Sequence, residues 1–408
     1  MQNEIKPLLT IIIATKNRDI YCFYAAKQIL SLPDDNIQLV VQNNSDTNYL
    51  EELIAGLMQD KRLKYRYDPE KISSIDNFNR AVSMADGEYV CLLGDDDGIN
   101  PEIMKIVSWA KMNNISAIKY GLQAGYTWPK TGVISNKQSG DNGVLRITKI
   151  SCNVSINSTR GELIRLMKDG GQDYLSRNLV KLYHGIVKRE FMEKVKDITS
   201  NYFGGLSPDI YSAIALSSLI DKVVCMEYPL TIPGVCSKST SAASVKGEHT
   251  GRLEDAPHLL NRHNYSWADE VPKIYSVDTI WADSALASVK DINDIELFNN
   301  FNNVLLSAKC LIKYPQYSKV IRKHYDECCK KKKKNIIVAY TAFIYFSFKF
   351  ISTYLIKGVI RKLSRRKDDY IFINNIENII EAEKALNTYI QNNKINVDAI
   401  LKKLNALV

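Results

Sequence analysis

The sequence predicts an α/β fold: a parallel sheet flanked by helices, followed by a helical C-terminal region. Three observations carry this. Over roughly the first 120 residues, short β-branched runs alternate with helix-period patterns, the order expected of βαβ units. With 408 residues and 45% apolar side chains, the chain has enough material for a sizeable core and for two or three domains. From about Pro272 the pattern turns helical and stays largely so.

Strands are expected at Leu8–Ala14, Ile37–Gln42, Leu63–Tyr67, Glu88–Leu93 and Ser116–Gly121. Helices are expected between them near Asp19–Ser31, Thr47–Met58, Ser73–Ala85 and Pro101–Met112. The last has Asn100 as its N-cap and Pro101 at the first helical position, where a missing N–H is tolerated. Residues 122–180 carry more Gly, Ser, Asn and Thr and read as longer loops with edge strands. A mixed segment follows to about residue 260, including Gly185–Val187 and the apolar stretch Ile210–Ile220. Helical patterns then run over Val277–Val289 and Ile295–Ile312, and, after a basic stretch at 319–367, over Ile373–Gln391 and Val397–Val408. The expected division is an α/β domain over 1–260, a helical extension over 261–318, a basic amphipathic segment over 319–367 and a helical pair over 368–408. That pair either packs on the chain or mediates self-association.

The charge is uneven. Lys313–Lys367 holds sixteen lysines and arginines against two acidic residues, a local excess of +14 that leaves −5 for the rest of the +9 chain. The basicity therefore speaks about the partner of one late segment. Eight cysteines form no C-x-x-C pair, which argues against a zinc module and for a reducing compartment. The N-terminal Met-Gln-Asn-Glu-Ile-Lys lacks the charged-then-apolar design of a signal peptide. The expected location is cytosolic, peripheral on the inner face of a cell membrane.

Three constellations carry chemistry. In Cys91-Leu92-Leu93-Gly94-Asp95-Asp96-Asp97-Gly98 an apolar strand runs into three carboxylates. Ligands of open α/β sheets bind just beyond the carboxyl ends of strands. Three adjacent carboxylates repel one another unless a cation sits among them, and a hard ion such as Mn²⁺ or Mg²⁺ takes such oxygens together with substrate phosphates. Taken alone, the run equally fits a solvated acidic turn. In Ile11-Ile12-Ile13-Ala14-Thr15-Lys16-Asn17-Arg18, Thr15 and Asn17 can hydrogen-bond a base or ribose, and Arg18 can meet a diphosphate in two-pronged fashion. An ordinary strand-to-helix turn capped by Asn17 or Asp19 has the same sequence signature. The third, Val40-Val41-Gln42-Asn43-Asn44-Ser45-Asp46, closes the second strand.

Together these segments resemble the inverting GT-A glycosyltransferases, in particular the large bacterial family 2 group. That family opens with an apolar strand and a Thr-x-Asn-Arg stretch, here Thr15-Lys16-Asn17-Arg18. It continues with a second strand ending in an Asp/Asn-Ser-rich loop (Gln42–Asp46), a helix with Asn-x-Ala (Asn79-Arg80-Ala81), and a Gly-Glu-Tyr strand, Gly87-Glu88-Tyr89, leading into Asp95-Asp96-Asp97. The match covers about the first 110 residues. It implies a Rossmann-like GT-A domain binding a nucleotide-sugar, with Thr15, Asn17, Arg18, Asn43 and Asn79 lining the nucleotide pocket. It also implies that Asp95, Asp96 and Asp97 divide between ribose and metal; the spacing does not say which does which, with Asp97 the first candidate for the metal, Asp95 a candidate for either and Asp96 for the nucleotide-sugar. Where the family often has an Asp holding the base, this chain has Gln42-Asn43-Asn44. Asn43 offers both donor and acceptor to a uracil edge, which favours a UDP-sugar.

Inverting transfer needs a base for the acceptor hydroxyl, a task for a carboxylate within hydrogen-bond reach. Asp209, in Gly204-Gly205-Leu206-Ser207-Pro208-Asp209, stands at the head of an apolar helical run, where the family places its base; it also suits a helix cap. The stretch Gly234–Ser241 followed by Lys246-Gly247-Glu248-His249 suits a lid over the diphosphate, with Lys238 on the phosphates. His249 is the candidate third metal ligand, or an exposed loop histidine. His184 reads as structural or acceptor-side, and His258, His263 and His324 as surface residues.

The late basic segment joins Lys330–Lys334 to an apolar run from Ile336 to Ile356 that Lys349 interrupts. Its length approaches a membrane span, but the internal Lys and the positive flanks fit an in-plane helix on an anionic membrane surface better. A buried core helix with a basic face is the alternative. No basic-and-aromatic pattern points to nucleic acid. The expected activity is thus a metal-dependent transfer of a hexosyl or N-acetylhexosaminyl group to a hydroxyl of a cell-surface glycan or lipid-linked oligosaccharide. Two other readings compete. A sugar-phosphate nucleotidyltransferase needs a Gly-rich loop after its first strand, and Thr15-Lys16-Asn17-Arg18 has no glycine. An inactive glycan-binding scaffold draws support from Asn43 and is opposed by the intact Asp95–Asp97 run.

Overall fold

Seven consecutive buried residues, Leu9–Thr15, form β1, and the main sheet grows outward from it. In the computed structural model, which describes residues 6–133, 141–239, 249–262, 264–331, 333, 336–363 and 370–408, β1 lies between β2 (Ile37–Asn43) and β4 (Tyr89–Leu93), parallel to both. β3 (Leu63–Tyr67) follows β2 outward in the same direction. Strands covered on both faces read as continuous apolar runs, and β1 shows why. Leu9, Ile11 and Ile13 join the core on one face, Ile12 and Ala14 the core on the other. Thr10 interrupts the run and is satisfied internally: its hydroxyl donates to Gln38 Oε1 at 2.8 Å and accepts from Gly87 N at 2.9 Å.

Beyond β4 the sheet is mixed. After β5 (Gly98–Ile99), β6 (Ala117–Tyr120), β7 (Ala124–Thr127), β8 (Val144–Ile147) and β9 (Val154–Ser158) come β10 (Gly185–Lys188) and β11 (Lys222–Met226). The order is β3-β2-β1-β4-β10-β6-β11-β9, with β10 antiparallel between β4 and β6, and β9 antiparallel at the edge. The strands of the first 120 residues, β1 to β4 and β6, all run in one direction, as the sequence predicts, and β10 runs against them. Short strands β12 (Thr231–Ile232) and β13 (Gly234–Val235) lead into the segment over the acidic run, and β14 (Thr250–Arg252) pairs with β15 (Ile274–Ser276).

The first helices fall where the sequence places them: α1 (Asp19–Leu30), α2 (Tyr49–Ile54), α3 (Ser74–Ser83) and α4 (Ile103–Met112). Ser73 caps α3 by accepting Asp76 N, as an N-cap serine does. Asn100 accepts Glu102 N instead of opening the helix directly, so α4 starts two residues later than Pro101 suggests. Next come α5 (Thr159–Lys168), α6 (Arg189–Thr199) and α7 (Pro208–Leu219). The predicted loop region thus contains a helix, α5, whose Leu163, Leu166 and Met167 are fully buried against α7 and the helices after it.

The helical region comprises α8 (Val277–Asp291), α9 (Ile295–Asn300), α10 (Asn303–Lys313), α11 (Ser318–Lys331) and α12 (Ile336–Leu363). Asp278 on α8 holds this layer to α10: its buried carboxylate takes Lys313 Nζ at 2.9 Å and Tyr314 Oη at 2.6 Å. Among the described residues, no helix is long and apolar enough to cross a membrane.

The chain then returns to its first domain. Ile371–Asn374, whose last two residues are expected to open a helix, instead form β16, antiparallel to β8 in the sheet β13-β7-β8-β16. Asn378 caps α13 (Ile379–Asn392), and α14 (Val397–Asn405) follows. Ile379, Leu386, Ile390, Val397, Ile400 and Leu404 fill one core with the α1 and α4 side chains. Of the two fates left open for this pair, packing on the chain is the one seen.

A carboxylate crevice at the switch point of the sheet

From β1 the chain moves outward through β2 and β3 on one side, while β4 lies on the other, so the topological switch point falls between β1 and β4. A crevice opens beyond the strand ends there. It brings Thr15 beside Asp95: the Thr15 hydroxyl donates to Asp95 Oδ2 at 2.5 Å, and the Arg18 guanidinium meets Asp95 Oδ1 at 2.7 Å and Asp96 Oδ1 at 3.6 Å. All three acidic residues are buried. Burial pushes the Asp95 and Asp96 carboxyls up, and Arg18 pulls both back.

Asp97 is the most fully engaged of the three. Its Oδ1 accepts Gly234 N at 2.6 Å; its Oδ2 accepts Gly94 N at 2.6 Å and the Tyr183 hydroxyl at 3.0 Å, with His184 Nε2 at 3.2 Å. Burial opposes ionisation here too, but His184 and the two backbone amides outweigh it and hold Asp97 below the usual carboxylate range. His184 is itself fixed by Thr231, 2.9 Å from Nδ1, and adopts a left-handed backbone, φ 52°. For a residue other than glycine that conformation costs about 1 kcal/mol, so the surrounding packing imposes it.

The segment after β12 straps across these carboxylates. Gly234 N binds Asp97, Cys236 N donates to Asp96 Oδ2 at 3.0 Å, and Lys238 Nζ donates to the Asn17 carbonyl at 3.1 Å. Gly234 must be glycine, because a Cβ there would come within 1.9 Å of the Asp96 carbonyl oxygen. The strap covers part of the expected lid; Thr240, Ser241, Lys246, Gly247 and Glu248 lie outside the described residues, as does His263. Asn17, Arg18 and Lys238 also line an adjoining cleft of about 450 Å³, with Tyr21, Tyr49 and Trp128 as aromatic walls.

Three expected pocket residues, Asn17 among them, bond neighbouring loops of the protein. Asn17 (φ 57°) clamps the β1 and β2 loops: its Nδ2 donates to Asp46 Oδ2 and its Oδ1 accepts Asp46 N, both at 2.9 Å. Asn43 donates to the Tyr65 hydroxyl of β3 at 3.0 Å and accepts Ser45 N at 2.9 Å, so its amide ties its own loop to β3. Asn79 bridges to the segment before α7, donating to the Phe203 carbonyl and accepting Phe203 N, both at 3.0 Å.

Asp209 is half-buried at the first turn of α7, with the Tyr174 hydroxyl 3.5 Å from Oδ2. Burial pushes its carboxyl up to about 6, while His184, Tyr174 and Lys181 pull it down. It does not cap the helix through its side chain. Lys181, pushed down to about 7 by burial and by Lys119, completes the charged groups on this side.

A divalent cation needs oxygens that converge on one point, and among the described residues no three Asp, Glu, His or Cys side chains do so. Asp97 gives both oxygens to N–H and O–H donors, and Asp95 faces Thr15 and Arg18. His249 sits by the β14–β15 pair, its ring stacked on His258 at 5.4 Å and 5.0 Å from Tyr275. As arranged, the set Asp95, Asp97 and His249 does not fit Mn²⁺ or Mg²⁺; the positive group among the carboxylates is Arg18. Sequence reasoning passed over Tyr183, Lys181, Trp128 and the role of His184 at Asp97. Only His184 carried a signal, an imidazole beside a glycine that opens an apolar strand.

Residues 10–155 match the family model for glycosyl transferase family 2. No curated protein sequence matches the chain. Solved structures align at low identity. S. aureus TarS 1-349 in complex with UDP-GlcNAc is 12% identical, with 80% of this chain and 93% of that chain covered and a TM-score of 0.46. The mannosyltransferase PcManGT from Pyrobaculum calidifontis, in complex with GDP-Man and Mn²⁺, is 11% identical, with 89% of each chain covered and a TM-score of 0.37.

Proposed function

We propose, from the premise that the N-terminal domain is a family 2-like GT-A glycosyltransferase domain, that this chain moves a sugar with inversion from a nucleotide-sugar to a hydroxyl of a glycan acceptor. The observation that carries the reading is the arrangement around His184. Its imidazole lies 3.2 Å from Asp97, and the charges of His184 and Asp97 both bear on the Asp209 carboxyl, which supports a candidate base close to the carboxylate run.

In this reading Asp209 takes the proton of the acceptor hydroxyl. The oxygen attacks the anomeric carbon from the face opposite the leaving group, the bond to the phosphate oxygen breaks, and its electron pair leaves with the nucleoside diphosphate. Asp209 ends protonated, and an ordinary value raised to about 6 suits that exchange near neutrality. Arg18 and Lys238, on the cleft wall, are the positive groups for the departing diphosphate. Thr15 and Arg18 orient Asp95 toward the ribose, and the Gly234–Lys238 strap closes over the site. UDP-sugars head the donor panel and a lipid-linked or surface glycan is the acceptor class.

The test is thermal shift with UDP-, GDP-, CMP- and dTDP-sugars, each with and without Mn²⁺. At least one donor should stabilise the chain, by an amount that grows with ligand concentration. If none does under either condition, the reading is wrong. The Mn²⁺ arm also asks whether donor phosphates complete a cation site that the side chains alone do not form.

A further inference from the structure

We propose that α12 is an in-plane docking element for an anionic lipid surface, a role independent of which donor the transferase site takes. One face of α12 is accounted for. Phe343 is buried, and with Ala342 and Phe346 it packs on Val304, Ala308, Tyr325 and Cys329 of α10 and α11. Among the described residues, the opposite face is largely exposed. Ile337, Ile344, Phe348, Ile351 and Leu355 recur at intervals of seven, four, three and four residues, which superposes them on one stripe of a helix with 3.6 residues per turn. Ile337 is 72%, Ile344 66% and Phe348 73% exposed, and Val338 and Tyr345 widen the stripe at 66% and 60%. At this exposure, a row of large apolar side chains marks a binding surface.

The charge around the stripe selects the occupant. Lys330, Lys331 and Lys333 stand exposed just before the helix, and Lys349 emerges beside the stripe at mid-length. Acidic residues are absent from the sequence between Glu327 and Asp368. A second copy of the chain, docked stripe to stripe about a twofold axis, would set basic residues against basic residues in either helix direction, since every charge from Lys330 to Lys367 is positive, and repel. An anionic bilayer surface answers both features: apolar side chains enter the headgroup boundary and lysines meet lipid phosphates. The helix lies along such a surface, since its 28 residues fall short of the apolar character of a span.

Geometry connects this surface to the transferase site. Asp209 heads α7, α7 packs on α8, α8 is held to α10 through Asp278 and Lys313, and α10 carries α12. Docking would thus fix the acceptor side of the crevice relative to a lipid surface.

The experiment is sedimentation of the full chain with phosphatidylcholine–phosphatidylglycerol vesicles, against phosphatidylcholine vesicles alone. The chain should pellet with the anionic vesicles, and roughly tenfold less with neutral ones. Ile344→Ser/Phe348→Ser/Ile351→Ser alters only the exposed stripe and should abolish pelleting with no change in melting temperature. Lys330→Gln/Lys331→Gln/Lys333→Gln/Lys349→Gln, which leaves every apolar contact in place, should do the same. Pelleting that survives both sets overturns the proposal. So does a dimer by light scattering that the serine variant converts to monomer in a chain that never pellets, since the stripe then belongs to a second copy. Asp209→Asn should pellet like the parent chain, so failure of the transferase reading and failure of this one are separately visible.

Discussion

Asn79→Ala separates two roles for one residue, nucleotide contact and loop anchor. Asn79 makes a two-way amide bridge to Phe203, both bonds 3.0 Å long. Beyond Phe203 come Gly205, in a left-handed turn at φ 61°, and Leu206 and Ser207, whose N–H groups both donate to Ser284 Oγ at 3.0 and 2.9 Å. The segment leading to Asp209 is therefore pinned at both ends, and alanine at 79 releases one. Two hydrogen bonds at about 1 kcal/mol each, with some penalty for the buried Phe203 backbone, give a loss of about 2–3 kcal/mol. That corresponds to a fall in Tm of about 5–10 °C for a domain of this size. Because Asp209 loses its fixed approach, kcat should fall by about 10- to 100-fold, the usual consequence of an ångström-scale misplacement. The KM for the donor should change by less than about twofold, since the contact made in the transition state is the one disturbed. Calorimetry and steady-state kinetics on the same preparation measure all three. A strongly raised donor KM with unchanged Tm and kcat would refute the reasoning and return Asn79 to the nucleotide pocket.

Asp209→Asn should lower kcat by about 10²- to 10⁴-fold and leave donor-induced thermal stabilisation intact; surviving turnover would put the base elsewhere. In the parent chain the base works ionised and its value is raised to about 6, so kcat/KM should climb as pH rises through about 6 and level off above it. An acidic limb centred near 4 would show that Asp209 is not the titrating group. Arg18→Ala leaves Asp95, whose side chain is wholly buried, without its counter-charge. Arg18 is itself 21% exposed, so the expected loss is about 2–3 kcal/mol, below that of a fully buried pair, and an unchanged Tm would show the pairing to be dispensable. Asp278 is held below the usual carboxylate range, because Lys313, Lys309 and Tyr314 outweigh the opposing effect of burial. A depressed folded-state value means full stabilisation above the unfolded value near 3.9 and loss as pH falls through the folded value. Asp278→Asn should therefore cost about 2–3 kcal/mol near neutral pH and flatten the acid limb of the stability profile, which melts across the range from pH 2 to 7 would detect.

What the sequence shows of this fold is what lies close along the chain. The strands at the switch point are legible because their apolar runs end abruptly in polar residues, and Thr15 and Asp95 meet because β1 and β4 are neighbours. α5 was hidden because Gly161 and the polar surroundings dilute a buried stripe of only three side chains, Leu163, Leu166 and Met167. β16 was hidden because Ile371–Asn374 find their ladder partner more than two hundred residues back, at β8. The site divides the same way. Carboxylates and Arg18 are local motifs, whereas Gly234 reaches Asp97 across 137 residues and Asn79 reaches Phe203 across 124. Polar residues in a strand-end loop have one signature for two uses, holding a ligand and holding the loop itself. Asn17, Asn43 and Asn79 are engaged in the second use.

The return of β16, α13 and α14 to the first domain has a consequence for how the molecule comes into being on the ribosome. The apolar faces of α1 and α4 and the edge of β8 are made early, yet the residues that cover them, from Ile371 to Leu404, are translated roughly 225 to 350 residues later. At about 5–20 residues per second that interval lasts roughly 11–70 s, during which the edge of β8 waits unpaired and the groove beside α1 and α4 uncovered. Folding must close by a late, long-range step, since loop closure over such a separation precedes any reward from the contacts it makes.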